Sequence, residues 1–353
     1  MNLTWLIMNA RCTGGIRVYL EEINELVKRG HKVTIVGMQN MDCSKWFNLD
    51  PEVKVIDVKP PFKYGSFPNI LAGLYKMAKA CPKADINISG HPIAYPSGFL
   101  NGKGKEVWYM QHYESMFFNG LSRVFIRGTY SLPHDRVIVN SLFLKNIMER
   151  RYGFKTSLIN PAINHDIFYP RKVKKFKKDK GVKRIVCLGK DEQRFKGVEE
   201  ALEAVKLLRW EYPKAELVFF GASPLKTQTK VKYNFVKFPN DDELAELYSS
   251  ADLTLCPSWY ESFPLPPLEA MACGSPVVTT SLGVSDYCFN GVNSIVVPPK
   301  KPFLLFLGIL KILKDKNLQK KLTNNGLKTA KKFTYGNTVD NLEKVLKQII
   351  KVK

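Results

Sequence analysis

The sequence is short of acid: 32 Asp and Glu stand against 54 Lys and Arg, giving a formal charge of +22. Such a field draws anions, whether nucleic acid, acidic lipid headgroups or phosphorylated small molecules, without choosing among them. Cysteine is sparse and scattered; Cys12, Cys43, Cys81, Cys187, Cys256, Cys273 and Cys288 form no CxxC spacing and no group with histidine. That argues against a disulfide or zinc framework and leads us to expect reduced thiols in a cytoplasmic compartment. No cleavable leader is expected, because the apolar start 3-LTWLIM-8 runs straight into a glycine turn and reads as a first strand. The apolar run 302-PFLLFLGIL-310 is too short to span a bilayer. The full GxGxxG fingerprint with a distal acid is missing, which speaks against a dinucleotide site. There is also no DxD motif and no His/Asp cluster, so no metal is expected.

What is present is a chain of 353 residues, 45% hydrophobic, enough to fill the cores of two domains of roughly 150 to 180 residues. The first part opens with a strand at 3–8, the loop 9-NARCTGG-15 and an amphipathic helix with Ile16, Tyr19, Leu20, Ile23, Leu26 and Val27 on one face. Gly30 ends the helix, and 32-KVTIVG-37 is a second strand. This order opens a parallel α/β sheet. Further strands are expected at 53–58, 85–89, 106–110 and 136–140, with a loop-like stretch around 60–70.

The run 171-RKVKKFKKDKGVKR-184 holds nine basic residues and one acid, and reads as a boundary. A solvated linker, an anionic membrane contact and a nucleic-acid contact all fit its composition. Nucleic acid is disfavoured as a partner because the basic residues carry no recognisable domain motif or aromatic interleaving. After the run the pattern restarts: strand 184–189, helix 197–210, strand 216–221, helix 242–250, strand 252–257, a short helix from about 266, strand 276–280 and helices from 302. The expected organisation is therefore a domain at 1–168, a basic linker at 169–183, a second domain at 184–336 and a terminal helix within 337–353. Two such units suggest paired Rossmann-like domains, α/β throughout, whose ligands bind beyond the carboxyl ends of the strands, on one shared cleft.

The segment 257-PSWYESFPLPPLEAMACGSPVVTT-280 says most about chemistry. A loop carries Glu261, and Pro266 and Pro267 suit the start of a helix, where no free N–H is needed. Glu269 then falls in the expected first turn, where the helix dipole favours a negative charge. Two such carboxylates can each bridge the vicinal hydroxyls of a sugar or ribose through charge-assisted hydrogen bonds, although a surface Glu beside a helix-start Glu fits the spacing equally well. The glycine turn 189-GKDEQRFKG-197 offers Lys190 and Lys196 to a diphosphate, or to solvent. Gly14 and Gly15, followed by Arg17, precede a helix whose free N–H groups can meet an anion or merely make a tight turn.

The stretch 261-ESFPLPPLEAMACGSPVV-278 resembles the E-x7-E motif of the large retaining glycosyltransferase family 4, whose members have the GT-B fold. The resemblance extends over nearly the whole chain. It implies that Glu261 lies beside the donor sugar, that Glu269 binds ribose hydroxyls, and that Phe263 and Leu265 line the nucleotide-sugar site between them. Ser262 and Pro264 replace the usual glycines, and Pro264 has no N–H to donate. The loop 189–197 is similar to the family's GRxxxxKG, with Lys190 at the arginine position and Lys196 matching directly; Arg194 lies between them. Gly14 and Gly15 correspond to the family's GG loop near the donor phosphate or acceptor.

By the same resemblance His112, in 106-EVWYMQHYESMFF-118, contacts the donor sugar, with Glu114 and His91 as acceptor-side candidates. Weaker echoes are 159-INPAINHDIFYP-170 as an interdomain connection, 235-FVKFPNDDELAELYSSADLTLCPS-258 with Phe238 beside the base, and helix 338–350 crossing back to the first domain.

The implied reaction moves a sugar from a UDP- or GDP-linked donor to an acceptor hydroxyl with retention of configuration, without a tightly bound cofactor and without a metal. Lys190 and Lys196 would stabilise the departing diphosphate. A silent nucleotide-sugar binder, or a phosphorylase or epimerase of similar frame, is the competing reading. A glycan or lipid-linked acceptor and peripheral attachment to an anionic membrane complete the expectations; the basic run and 311-KILKDKNLQKK-321 motivate the last.

Overall fold

In the computed structural model the chain is described at residues 1–59, 67–117, 119–190 and 192–351, with the side chains of Phe67 and Pro68 also excepted. Most of the loop expected around 60–70, and Asp191 within the 189–197 turn, lie outside the described residues. The chain divides into two compact units: Met1–Ala162 with Tyr335–Lys353, and Ile163–Thr334.

Unit 1 runs β1 (Asn2–Asn9), α1 (Gly14–Lys28), β2 (Lys32–Gln39), β3 (Lys54–Asp57), α2 (Phe67–Ala80), β4 (Ile86–Ser89), α3 (Tyr95–Asn101), β5 (Lys105–Met110), α4 (Gly120–Thr129), β6 (Arg136–Val139), α5 (Leu142–Tyr152) and β7 (Thr156–Leu158). All pairings in its sheet are parallel, in the order β3-β2-β1-β4-β5-β6-β7. A parallel sheet is covered on both faces, so its strands read as continuous apolar runs. Successive side chains alternate between those faces. Trp5 enters one core with Tyr19, Ile35 and Tyr109, while its neighbour Leu6 enters the other with Met77, Tyr95 and Trp108.

Unit 2 runs β8 (Lys183–Leu188), α6 (Val198–Glu211), β9 (Ala215–Gly221), β10 (Asn234–Lys237), α7 (Asp241–Ser250), β11 (Leu253–Cys256), α8 (Leu265–Ala272), β12 (Val277–Thr280), β13 (Ile295–Val297), α9 (Pro302–Lys314) and α10 (Lys316–Ala330). Its sheet is again parallel, ordered β10-β9-β8-β11-β12-β13. The apolar run at 302–310 is spent in this core: Leu305, Ile309, Ile312 and Leu313 of α9 pack with α6 and the sheet. Among the described residues no helix is long and apolar enough to cross a membrane.

The last helix, α11 (Tyr335–Lys351), belongs to unit 1 and packs on α1. Its Val339, Leu342, Leu346 and Ile349 are buried with Tyr19, Ile23 and Leu26. At about 1.5–3 kcal/mol per buried side chain, these four contribute roughly 6–12 kcal/mol before chain entropy is counted. Arg29 holds Asp340 at 2.7 Å and His31 holds Glu343 at 2.7 Å, fixing the helix at its edge.

The basic run is not a linker. The division falls at 162/163, and residues 169–183 lie inside unit 2. Five of the nine cations find acids there: Arg171 with Asp242, Lys175 with Glu243, Lys178 and Lys183 with Asp252, and Arg184 with Glu216. The backbone N–H groups of Lys174, Lys175 and Phe176 donate to Glu246 Oε1, so the segment is laid along the acidic side of α7. Two further departures are small. Gly14 and Gly15 are the first residues of α1, capped by Thr13, instead of loop residues. Helix α8 starts at Leu265, so Glu269 is its fifth residue and lies beyond the first turn, where the dipole's influence fades.

Candidate functional site

In both sheets the chain begins at a central strand and then builds outward in each direction, leaving a switch point: β1/β4 in unit 1 and β8/β11 in unit 2. Loops beyond the carboxyl ends of the two strands diverge there and leave room for a ligand. Most of the residues singled out from sequence lie around these two places; Phe238 instead follows the edge strand β10.

In unit 2 the loop after β8 is held against the loop after β11. A 3-10 turn, Arg194–Lys196, ends at Gly197, whose φ of +73° and close approach allow no side chain: a Cβ there would lie 2.2 Å from the Pro257 carbonyl oxygen. Trp259 N–H donates to the Phe195 carbonyl at 2.7 Å, tying the loops together again. With this scaffold Lys196 Nζ reaches Glu261 Oε1 at 2.6 Å, and Ser258 Oγ donates to the same oxygen at 2.9 Å. Gly283 backs the site, with φ +86° and space for no Cβ against the Glu261 carbonyl. Burial, and then the nearby Lys196 charge, lower the Lys190 ammonium from its ordinary range; Glu192 and Glu261 oppose that shift. Leu188, Lys196, Ser258, Glu261, Pro264 and Pro266 line a small cavity here.

Glu269 is held from α7, not by the helix dipole: the buried Tyr248 hydroxyl donates to its Oε2 at 3.0 Å. Phe238 follows β10 with φ +46° and 64% of its surface exposed, so an aromatic face is presented to solvent. Phe263 does the opposite. Its ring packs 4.9 Å from Tyr287 and 5.8 Å from Phe333 in the core, and Leu265 is half-buried against the same cluster. Their side chains are structural, which leaves the main chain as what they can offer a ligand.

In unit 1, Gly15 admits Gln111: a Cβ would lie 2.3 Å from Gln111 Oε1, and Gln111 Nε2 donates to the Gly15 carbonyl at 3.0 Å. Tyr19, one turn along α1, sends its hydroxyl toward two carbonyls, Tyr109 at 2.7 Å and Gly90 at 3.0 Å. These contacts gather the start of α1, with Gly14 and Gly15, and the starts of the two loops that carry His91 and His112. Arg17 lies along α1 with Glu21, Nε to Oε1 3.9 Å. His112 follows β5 with its ring edge-on to Phe117 at 6.0 Å.

His91 Nδ1 accepts from the Ile93 N–H at 3.1 Å, which places the imidazole proton on Nε2. Burial, aided by His112, pushes His91 down to about 4, so it is neutral at physiological pH. Glu114 is turned inward and 5% exposed; burial pushes it up to about 8. It therefore carries a proton at neutral pH and is turned away from solvent. Sequence reasoning missed Ser258, Tyr248, Gln111 and Tyr19 as supporting residues. Ser258, Tyr248 and Gln111 stood inside quoted motifs and Tyr19 on the quoted helix face, but nothing in the sequence marked the partners they would meet.

Two family descriptions match consecutive parts of the chain: "Glycosyltransferase Family 4" over residues 13–167 and "Glycosyl transferases group 1" over residues 169–329. The chain belongs to this glycosyltransferase family and is an enzyme of the hexosyltransferase type. An uncharacterized glycosyltransferase of Methanocaldococcus jannaschii is 27% identical, over 96% of this chain and 95% of its own. Among solved structures, sucrose-phosphate synthase from Thermosynechococcus elongatus aligns with a TM-score of 0.82 and 17% identity, covering both chains fully. The Anabaena protein HepE, solved with UDP-glucose, aligns at 0.76 and 14% identity, over 99% of this chain and 100% of its own. These likenesses show the GT-B fold, with a Rossmann-like sheet in each unit.

Proposed function

We propose that this enzyme transfers a hexosyl group from a nucleoside diphosphate sugar to an acceptor hydroxyl with retention of anomeric configuration. The observation that carries the reading is the meeting of Lys190, Lys196 and Glu261 at the β8/β11 switch point. Breaking the bond from the anomeric carbon to the phosphate oxygen leaves negative charge on the diphosphate, and the two ammonium groups answer it. The same two charges make a metal ion unnecessary, so chelators should leave the rate unchanged. Glu269 fits the ribose hydroxyls, and the exposed ring of Phe238 fits the base. UDP is favoured by the Anabaena relative in fold, which was solved with UDP-glucose.

Glu261 is assigned to the donor sugar's hydroxyls and not to a nucleophilic role; in the resting enzyme its Oε1 accepts from Lys196 and Ser258. Retention then follows from attack on the face the diphosphate leaves, with its departing oxygen taking the acceptor's proton. Gly14, Gly15 and Arg17 at the start of α1, with His91 and His112, are our assignments for substrate contacts in unit 1.

A panel of UDP- and GDP-hexoses, with diphosphate release and the product's anomeric configuration as readouts, tests this. No release from any donor would refute the reading, and an inverted product would refute retention alone. For the acceptor we propose a glycan or lipid-linked hydroxyl near an anionic membrane, with salt-sensitive docking through the run's cations that form no ion pair among the described residues, such as Lys172, Lys177 and Lys180. Absence of sedimentation with anionic vesicles at low salt would end that part.

A further inference from the structure

The lysine assigned to the diphosphate is already occupied. Lys196 and Glu261 are 65 residues apart, yet their side chains meet at 2.6 Å and are only 16% and 11% exposed. The second donor to that carboxylate oxygen, Ser258 Oγ, is neutral, so Lys196 is the cation that answers its charge at hydrogen-bonding distance. The cavity wall beyond them includes Pro264, Pro266 and Pro267, which have no N–H to offer an anion. The positive charges an entering diphosphate can meet here are the ammonium groups of Lys196 and Lys190. Unless Lys196 leaves Glu261, the phosphate also faces a carboxylate across a few ångströms in a partly desolvated site, where like charges repel strongly.

We propose that the Lys196–Glu261 ion pair is a latch that fills the diphosphate subsite in the resting enzyme, and that the donor's diphosphate displaces Glu261 as partner of Lys196. The displaced carboxylate is then free to accept a hydroxyl of the donor sugar. The enzyme thus acquires its full set of sugar contacts only with a diphosphate bound, and a free sugar meets a closed pair. The inference deepens the nucleotide-sugar reading and rests on it.

Calorimetric titration of the full chain with UDP, GDP and inorganic pyrophosphate, each beside the bare nucleosides, tests the latch. The variants are Glu261→Gln, Glu261→Asp, Lys196→Met and the Glu261→Gln/Lys196→Met double. Removing the competing carboxylate should tighten diphosphate binding about tenfold, equivalent to about 1.4 kcal/mol. Nucleoside binding should not change. The gain should vanish in the Lys196→Met background, because the two residues act through one contact. Glu261→Asp keeps the charge but shortens its reach, and should gain in the same direction by less.

A gain that persists without Lys196 means that Glu261 only repels the ligand, and the latch is wrong while the nucleotide reading stands. Weaker binding in Glu261→Gln means that the carboxylate aims Lys196 at the phosphate, and again the latch falls alone. Failure of every variant to bind any of the three diphosphates would remove the latch and the donor site together.

Discussion

The two units share one topology but treat buried polar groups in opposite ways. Unit 1 keeps them neutral. Glu22 is buried in its core and pushed up to about 8, accepting from the Tyr109 hydroxyl at 2.9 Å; Glu114 is pushed up to about 8, and His91 down to about 4. Unit 2 keeps them charged and paired. Lys196 holds Glu261, and Arg184, 5% exposed, holds Glu216 at 2.6 Å. A carboxylate loses its charge in an apolar core unless a cation compensates the desolvation, so the sequence position of one lysine or arginine decides which regime applies. The charged unit is prepared for an anion; the neutral one is suited to hydroxyl-bearing partners.

The sharpest way to break this contrast is to remove a charge from unit 2. Lys196→Ala should lower donor turnover by about a hundredfold, the scale of losing one preorganised donor to a leaving group. It should weaken UDP more than uridine in calorimetry, and equal losses would take Lys196 out of the phosphate site. The next test strips a neutral partner from unit 1. Tyr109→Phe leaves Glu22 Oε1 without its donor and should cost about 1–3 kcal/mol in urea unfolding, with the loss confined to unit 1.

The contrast also has a pH signature. Glu22 and Glu114 bind protons more tightly folded than unfolded, so from about pH 4.5 to 8 they make stability fall as pH rises. His91 works the other way between about pH 4 and 6.5, where the unfolded chain holds the extra proton. Above 6.5 the glutamates act unopposed. Stability should therefore drop by about 3 kcal/mol between pH 6.5 and 8, and Glu22→Gln should roughly halve that slope. A thermal melt series that shows the same slope in the variant would remove Glu22 as its source. The smallest effect is expected at Glu269→Gln, a few-fold weakening for a ribonucleotide beyond that for its 2′-deoxy analogue. Identical weakening for both would end the ribose assignment.

Much of this was legible in the sequence, because apolar period and glycine punctuation are local. The starts of β1, β2, β8, β9 and β11 fell within about two residues of their expected places. β7, β10 and β13 escaped notice, being three or four residues long and too short to show a period. What sequence could not show was partnership. The basic run read as a linker because Asp242, Glu243 and Glu246, which bind it, lie about 70 residues away in α7. Phe263 fell inside the motif and was taken for a ligand contact; its ring is claimed by Tyr287 and Phe333, neither of them near it in sequence. Lys196 and Glu261 were each singled out, but as separate ligands of one substrate and not as each other's partner.

The return of α11 to unit 1 has a consequence for how the molecule is made. Translation delivers Ile163–Thr334 in one continuous piece, so unit 2 can fold on the ribosome as soon as α10 has cleared the exit tunnel. Unit 1 begins earlier but completes later. Until Val339, Leu342, Leu346 and Ile349 emerge, the sites on Ile23 and Leu26 that they will cover stay open to water and to any chaperone that binds apolar surface. The part of the enzyme synthesised first is thus sealed late, and the nascent chain is most vulnerable to aggregation just before α11 emerges.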